Sequence, residues 1–414
     1  MKAMRGDSLH IGIFGRRNAG KSSLINAITK QQVAIVSAVP GTTTDPVFKA
    51  MELLPLGPVV FIDTAGIDDA DGLLGAERVR RSERILAKTD LALLVVPADT
   101  VEFSYEEQLI TSFEKYRIPF VIVLNKVDLG VSPAATAWLG ERPAVLVTAS
   151  TGEGIEELKK AIIAAAPKNW EPPLLRDLFE PGDVVLLITP IDRGAPKGRM
   201  IMPQEKAIRE VLDGHGIVVD VTEYEVEAAL AALAVKPVLA VTDSQAFEKV
   251  APLVPAEIPL TGFSILSIRQ KGDLRAMVEG VMAVKSLKPG DKVLIAESCT
   301  HHPMEDDIGR LKIPRWLAEY VGGPLDVHVV PGYDFPDDLS TYKLVVHCGG
   351  CTLNRREVLR RQAIPAQFNV PMTNYGILIA FLRGAFPRAL SPFPELYKKF
   401  KSITSRHAGE VLPS

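Results

Sequence analysis

Short apolar runs alternate with amphipathic stretches over residues 1–166, a pattern that predicts βαβ units around a mostly parallel sheet. The strand candidates are 11–14, 59–63, 91–96, 120–124 and 144–147, and a helix is expected to open at 23–28. The proline-rich stretch 167–173 breaks any helix and reads as a linker. A second α/β region follows at 174–264, with strands expected at 183–188, 217–221 and 238–241 and helices at 205–212 and 225–233. A third occupies 265–414, with strands at 292–296, 327–330 and 344–347. The expected fold class is therefore α/β in three domains: a phosphate-loop unit and two further parallel α/β units.

Pro289-Gly290-Asp291 before the third region's first strand echoes Pro181-Gly182-Asp183 before the second region's first strand. Pro-Gly-Asp is common turn chemistry, so the echo is read as one turn solution reached twice, with internal duplication as the alternative.

Composition narrows the class. With 47 basic and 50 acidic residues in 414, the charge is nearly balanced. No global attraction to nucleic acid or to an anionic membrane follows. The three cysteines argue against a disulfide framework and for a reducing compartment. The first residues lack the apolar stretch of a signal peptide, and runs such as 91–96 and 184–188 are too short to span a bilayer. A cytoplasmic protein is expected.

Gly15-Arg16-Arg17-Asn18-Ala19-Gly20-Lys21-Ser22 matches the phosphate-loop pattern between a predicted strand and a predicted helix. The glycines let successive N–H groups face phosphates. Lys21 supplies a cation to the β and γ phosphates, and Ser22 a hydroxyl to magnesium, with Ser23 following on the helix. Asp63-Thr64-Ala65-Gly66 follows the next strand; Asp63 reaches magnesium through water and the Gly66 N–H senses the γ-phosphate. Asn125-Lys126-Val127-Asp128 places a carboxylate where guanine offers its N1–H and 2-amino donors. A site left with an unpaired acceptor rejects the wrong base by roughly 10⁴, which selects GTP over ATP. Thr148-Ala149-Ser150, after the last strand, offers a backbone N–H to the guanine O6.

These motifs resemble the TrmE–Era family of GTPases. Pro40-Gly41-Thr42-Thr43-Thr44-Asp45 is similar to that family's first switch, and the resemblance implies Thr43 as a second magnesium ligand, alongside Lys21 and Gly66 in the catalytic set. Ile67 stands where Ras-like enzymes put a water-orienting glutamine. Asp68 and Asp69 are read as solvated loop acids. Asn18 matches the asparagine of potassium-activated relatives, so the resemblance implies K⁺ as the charge-supplying cation.

All three cysteines fall into one pattern: Cys299-Thr300-His301, then His347-Cys348-Gly349-Gly350-Cys351. Thiolates and imidazoles ligate zinc and iron–sulfur clusters. The spacing of Cys348 and Cys351 lets both sulfurs converge on one centre, and in a parallel sheet both halves of the pattern project from the same carboxyl edge. Three readings stay open on the residues alone: buried structural thiols, a Cys₃His zinc site, or a cluster with three thiolates and an exchangeable fourth position. His301, His302 and His347 are fourth-ligand candidates, Glu305 a weaker one, and second-shell duty competes for each. A dithiol switch on Cys348 and Cys351 would leave Cys299 and the histidines without a job.

A TrmE-like GTPase, a middle α/β domain, and Cys-x-His followed by His-Cys-x-x-Cys together resemble the HydF family, maturation GTPases of iron–iron hydrogenases. The resemblance covers essentially the full length, although the 45 residues between His301 and His347 lie toward the short end of that family's gap. It implies a 4Fe–4S cluster on Cys299, Cys348 and Cys351 and a homodimeric scaffold. It also implies a two-iron precursor as cargo, radical-SAM maturases and apo-hydrogenase as partners, and no nucleic acid or membrane. The middle domain, with no cysteine or phosphate loop, is read as the dimerisation unit, and its Arg193, Lys197 and Arg199 as a solvated loop. Arg310 and Lys312 are weighed as cargo contacts against an ordinary helix surface, and Thr373-Asn374-Tyr375-Gly376 as a third wall of the pocket. The rival from another class is a zinc-containing TrmE- or Era-like GTPase acting on tRNA or ribosomes; the balanced charge and the lack of a basic, aromatic-interleaved domain stand against it.

Overall fold

A computed structural model of the chain describes residues 5–30, 47–64, 83, 85–168, 170–191, 200–298, 307–332, 335–336 and 338–402. The chain divides into two compact units, Met1–Trp170 and Glu171–Ser414.

In the first unit, strands β1 (Leu9–Phe14), β2 (Val47–Leu53), β3 (Gly57–Asp63), β4 (Leu91–Pro97), β5 (Phe120–Asn125) and β6 (Ala144–Val147) form one sheet. Its order is β2-β3-β1-β4-β5-β6. All neighbours run parallel except β2, which lies antiparallel on β3 at the edge. Every residue of β1 is buried, as expected of a strand covered on both faces. One apolar layer, including Leu24, Ile25, Leu158 and Ile162, packs the helices Lys21–Thr29 and Ile155–Ala165 onto one face. Phe113, Ile110 and Leu94 belong to the layer on the other.

The second unit holds two four-stranded parallel sheets. Strands β7 (Val184–Ile188), β8 (Ile217–Val221), β9 (Leu239–Thr242) and β10 (Leu260–Gly262) are ordered β10-β9-β7-β8. Strands β11 (Lys292–Ala296), β12 (Asp326–Val330), β13 (Leu344–His347) and β14 (Met372–Asn374) are ordered β12-β11-β13-β14. The two orders are the same plan: the first strand pairs with the second on one side and the third on the other, and the fourth lies outside the third.

The likeness reaches the turns as well. Gly182 and Gly290 both have positive φ (86° and 87°). The Asp183 carboxylate accepts from the Glu180 N–H at 2.7 Å, and the Asp291 carboxylate from the Lys288 N–H at 2.8 Å. The echo between Pro181-Gly182-Asp183 and Pro289-Gly290-Asp291 thus extends from a local turn to a whole strand order, one that is common among parallel α/β folds.

The helix Phe263–Lys271 runs straight through the expected boundary at 264/265. One continuous apolar core joins both sheets, with Leu187, Phe247, Phe263 and Leu266 on one side and Val346, Ile377 and Phe381 on the other. The middle and last regions form one body.

Candidate nucleotide site and cysteine loop

The phosphate loop curls between β1 and the helix Lys21–Thr29. Gly20, at φ 90°, has no room for a side chain: a Cβ there would lie 2.3 Å from the Asn125 Nδ2. Asn18 is exposed and also takes a left-handed backbone (φ 61°), and Ala19 is buried. Lys21 is buried, its Nζ donating to the Gly15 carbonyl at 2.5 Å and the Arg16 carbonyl at 3.0 Å. The Ser22 hydroxyl donates to Asp63 at 2.7 Å, so the two predicted magnesium-side oxygens, from different motifs, meet. Ser23 lies exposed on the helix.

Asn125 joins the loops that flank a base site. Its Nδ2 donates to the Ala19 carbonyl at 2.8 Å and its Oδ1 accepts from the Ala149 N–H at 3.1 Å. Lys126 is left-handed (φ 63°), and it turns the chain into the short 3₁₀ helix Val127–Leu129, where Asp128 is exposed. Thr148 is buried and Ser150 exposed on the neighbouring loop. Thr43 and Gly66 lie outside the described residues, as do Ile67, Asp68 and Asp69.

Sequence reasoning passed over Arg16. Its guanidinium grips Glu106 through two bonds of 2.7 Å, and the Glu106 side chain is fully buried. The carboxylate raises the arginine above its ordinary value, and the phosphate loop is thereby tied to the helix Ser104–Lys115.

In the second unit, Ala296 of β11 is in register with His347 of β13, so Glu297-Ser298 and Cys348 leave the same carboxyl edge side by side. The Cys348 sulfur accepts the Ser298 N–H at 3.1 Å and lies 3.0 Å from the Ser298 hydroxyl. Gly350 is left-handed (φ 65°), which closes the turn from Cys348 to Cys351; both cysteines are half-exposed. Cys299, His301, His302 and Glu305 lie outside the described residues, as do Arg193, Lys197 and Arg199.

His347 is completely buried. Its Nδ1 lies 2.7 Å from the Cys348 carbonyl and its Nε2 lies 3.4 Å from the Arg361 Nη1. Burial, and then the Arg361 charge, push its pKa down to about 4. It is a neutral ring with the proton on Nδ1. Arg361 is itself buried and also donates to the Glu297 carbonyl (3.5 Å), the Gly332 carbonyl and the Glu357 carboxylate (3.2 Å). One guanidinium therefore holds the segments that follow β11 and β12 and the last residue of β13.

Arg310 is paired with buried Glu297 at 3.0 Å, which raises its pKa, and Lys312 donates to Gln245 at 3.1 Å. Both side chains thus have partners within the protein. Asn374 caps the helix Tyr375–Leu382 through the Ile377 N–H at 2.9 Å and donates to the Ser264 carbonyl at 2.9 Å. There the carboxyl edges of the two sheets meet, with a Cβ on Gly376 only 2.8 Å from the Ser264 Cβ. Lys271, at the end of the helix Phe263–Lys271, is buried beneath the cysteine turn and donates to the Cys351 carbonyl at 3.2 Å. Neither Lys271 nor Arg361 carried a sequence signal, since each sits among other cations on a helix.

Residues 174–272 match the hydrogen maturase F dimerization domain, and residues 275–392 match the hydrogen maturase F tetramerization domain. Together they take in just over half of the chain. The chain belongs to the hydrogen maturase F (HydF) family. Residues 10–126 of this HydF-family chain match the model described as 50S ribosome-binding GTPase. The same part is similar to the tRNA modification GTPase MnmE of Methylococcus capsulatus (36% identity over 169 residues; 40% of this chain, 37% of that one). MnmE of Aquifex aeolicus is 36% identical over 165 residues, covering 40% of this chain and 36% of that one. The match spans little more than a third of the length of those relatives, and it fits a TrmE–Era-like GTPase domain. Among solved structures, Era of Aquifex aeolicus aligns at 20% identity with a TM-score of 0.33, covering 59% of this chain and 97% of that one. The FeoB G domain of T. maritima aligns at 22% and 0.30, covering 38% of this chain and 98% of that one. No helix among the described residues is long and apolar enough to cross a membrane.

Proposed function

We propose that this chain is a GTP-hydrolysing scaffold in iron–iron hydrogenase maturation that holds a 4Fe–4S cluster on Cys299, Cys348 and Cys351 and passes a two-iron precursor to apo-hydrogenase. The observation that carries the reading is the cysteine turn itself. Cys348 and Cys351 stand half-exposed at a parallel sheet's carboxyl edge, where the Ser298 N–H already faces a sulfur. Thiolate donors with backbone N–H groups turned toward them are the chemistry that iron–sulfur ligation uses, and the residues fit it. A cluster bound there by three thiolates supplies one iron open to a bridging ligand of the cargo.

The chain's own residues do the rest. Arg361 and His347 fix the strand ends, and Gly350 lets the turn close. In the first unit Lys21 exchanges the carbonyls of Gly15 and Arg16 for phosphate oxygens, Ser22 and Thr43 ligate Mg²⁺ with Asp63 reaching it through water, and Asp128 selects guanine. Asn18 ligates K⁺, which supplies the charge that an arginine finger gives to the transition state in other GTPases. The protein works as a homodimer through residues 174–264, in the cytoplasm, with radical-SAM maturases and apo-hydrogenase as partners.

Iron and acid-labile sulfide in anaerobically purified protein test the reading. Both should be present, with Cys351→Ser losing the brown absorbance while keeping GTP hydrolysis, and Lys21→Ala doing the reverse. Stoichiometric zinc without sulfide would favour the zinc-containing GTPase reading instead.

A further inference from the structure

We infer that Lys271 is the positioning charge of the cysteine turn: its buried ammonium holds the Cys348–Cys351 loop and sets the electrostatic potential at the metal centre carried there. The inference rests on the cluster reading above and adds a residue to it. Lys271 is only 6% exposed, and its Nζ donates to the carbonyls of Cys351 (3.2 Å) and Gly350 (3.5 Å). It closes the helix Phe263–Lys271, whose carboxyl-terminal dipole favours a cation. That favour alone would be satisfied by a solvated side chain. Arg269, two residues earlier, keeps 22% of its side chain exposed and pairs with Asp177. Lys271 instead turns inward, onto the one turn that carries two of the chain's three cysteines.

A charge so placed acts on its neighbours through a poorly polarisable interior, where a unit charge is felt several times more strongly than in water. A metal–thiolate group gains negative charge when it takes an electron, so a fixed cation against the same turn favours the reduced form. Net charge, hydrogen bonds to sulfur and solvent exposure are the levers that set such potentials. The Ser298 N–H supplies the hydrogen bond and Lys271 the charge. The electron comes from the external one-electron reductant of the measurement.

Three variants of the full chain separate charge from geometry. Lys271→Arg keeps charge and donors, Lys271→Gln keeps donors alone, and Lys271→Met keeps neither. Each is loaded anaerobically with iron and sulfide and titrated with dithionite through redox mediators while visible absorbance is followed. Lys271→Gln and Lys271→Met should each disfavour reduction by about tenfold, a shift of about 59 mV to more negative potential for one electron, with Lys271→Arg near the parent. If the Gln variant fails to hold iron while the Arg variant holds it and both unfold at the parental temperature, the charge requirement also stands. A Gln variant at the parental potential, an Arg variant displaced as far as Gln, or equal loss of iron from both would overturn the role of Lys271. A parent protein that binds neither iron nor sulfide would overturn the cluster reading itself.

Discussion

The Nε2 of His347 lies 3.4 Å from the Nη1 of Arg361, so this imidazole accepts from a guanidinium that keeps its protons throughout the physiological range. Its other nitrogen faces the Cys348 carbonyl at 2.7 Å. Both ring nitrogens are thus engaged inside the protein, an arrangement suited to orienting the turn. Replacing His347 with Gln, which can both accept from Arg361 and donate to a carbonyl, should leave iron content near the parental value. Loss of iron as complete as in Cys351→Ser would make His347 a ligand.

Arg361 and Glu357 are both 1% exposed and lie 3.2 Å apart. Glu357 also pairs with Arg360 at 2.8 Å, so the carboxylate keeps a partner when Arg361 is removed, and the cost is that of buried acceptors left without a donor, about 1–3 kcal/mol. Arg361→Met should therefore lower the second unit's unfolding free energy, read from its urea transition, by an amount in that range. Its absence would also free the strand ends at Glu297 and Gly332, so iron loading should fall with it. An unchanged unfolding free energy would remove Arg361 from its place as the tie between the three strand ends.

Asn125 bridges Ala19 and Ala149, which places Asp128 on the segment that flanks both. Nucleotide hydrolysis should favour GTP over ATP by roughly 10⁴ in kcat/KM, the discrimination set by a carboxylate left unpaired. Asp128→Asn should weaken GTP and improve xanthosine triphosphate, whose 2-oxo group accepts from an amide. Comparable turnover of ATP and GTP by the parent protein would refute the base assignment.

Replacing sodium with potassium at constant ionic strength should raise the GTPase rate, and Asn18→Ala should abolish most of the rise. The reason is electrostatic: with isoleucine at position 67, a fixed cation must stabilise the charge that develops on the phosphates. Rates that ignore the monovalent cation would assign this task to another group.

Much of the first unit was legible because its chemistry is local. A phosphate loop is one stretch of chain between a strand and a helix, and its neighbours at Asp63 and Asn125 each end an apolar run. Strand β2 escaped because an antiparallel edge strand with mixed composition, VFKAMEL, shows no continuous apolar run. Strands β10 and β14 are three residues each, too short for any periodicity to register. The cysteine spacing gave away the turn, but not what holds it. Arg361 sits in a helix beginning Arg355-Arg356 and continuing Arg360-Arg361, where four cations look alike in sequence. Only the packing of that helix against three strand ends turns one of them inward. Lys271 was hidden the same way, as one basic residue at a helix terminus.

The shared strand order of the second unit carries a consequence of its own. Two tandem modules of one plan, joined through a common core, differ in what their equivalent edges carry: Cys348-Gly349 after β13, and Asp243-Ser244 after β9. The thiol-free module offers its serine-bearing edge as a fixed abutment, with Ser244 and Ser264 against Gly376. The thiols are thereby confined to one module while the other walls its edge, a division of labour inside a single folding unit.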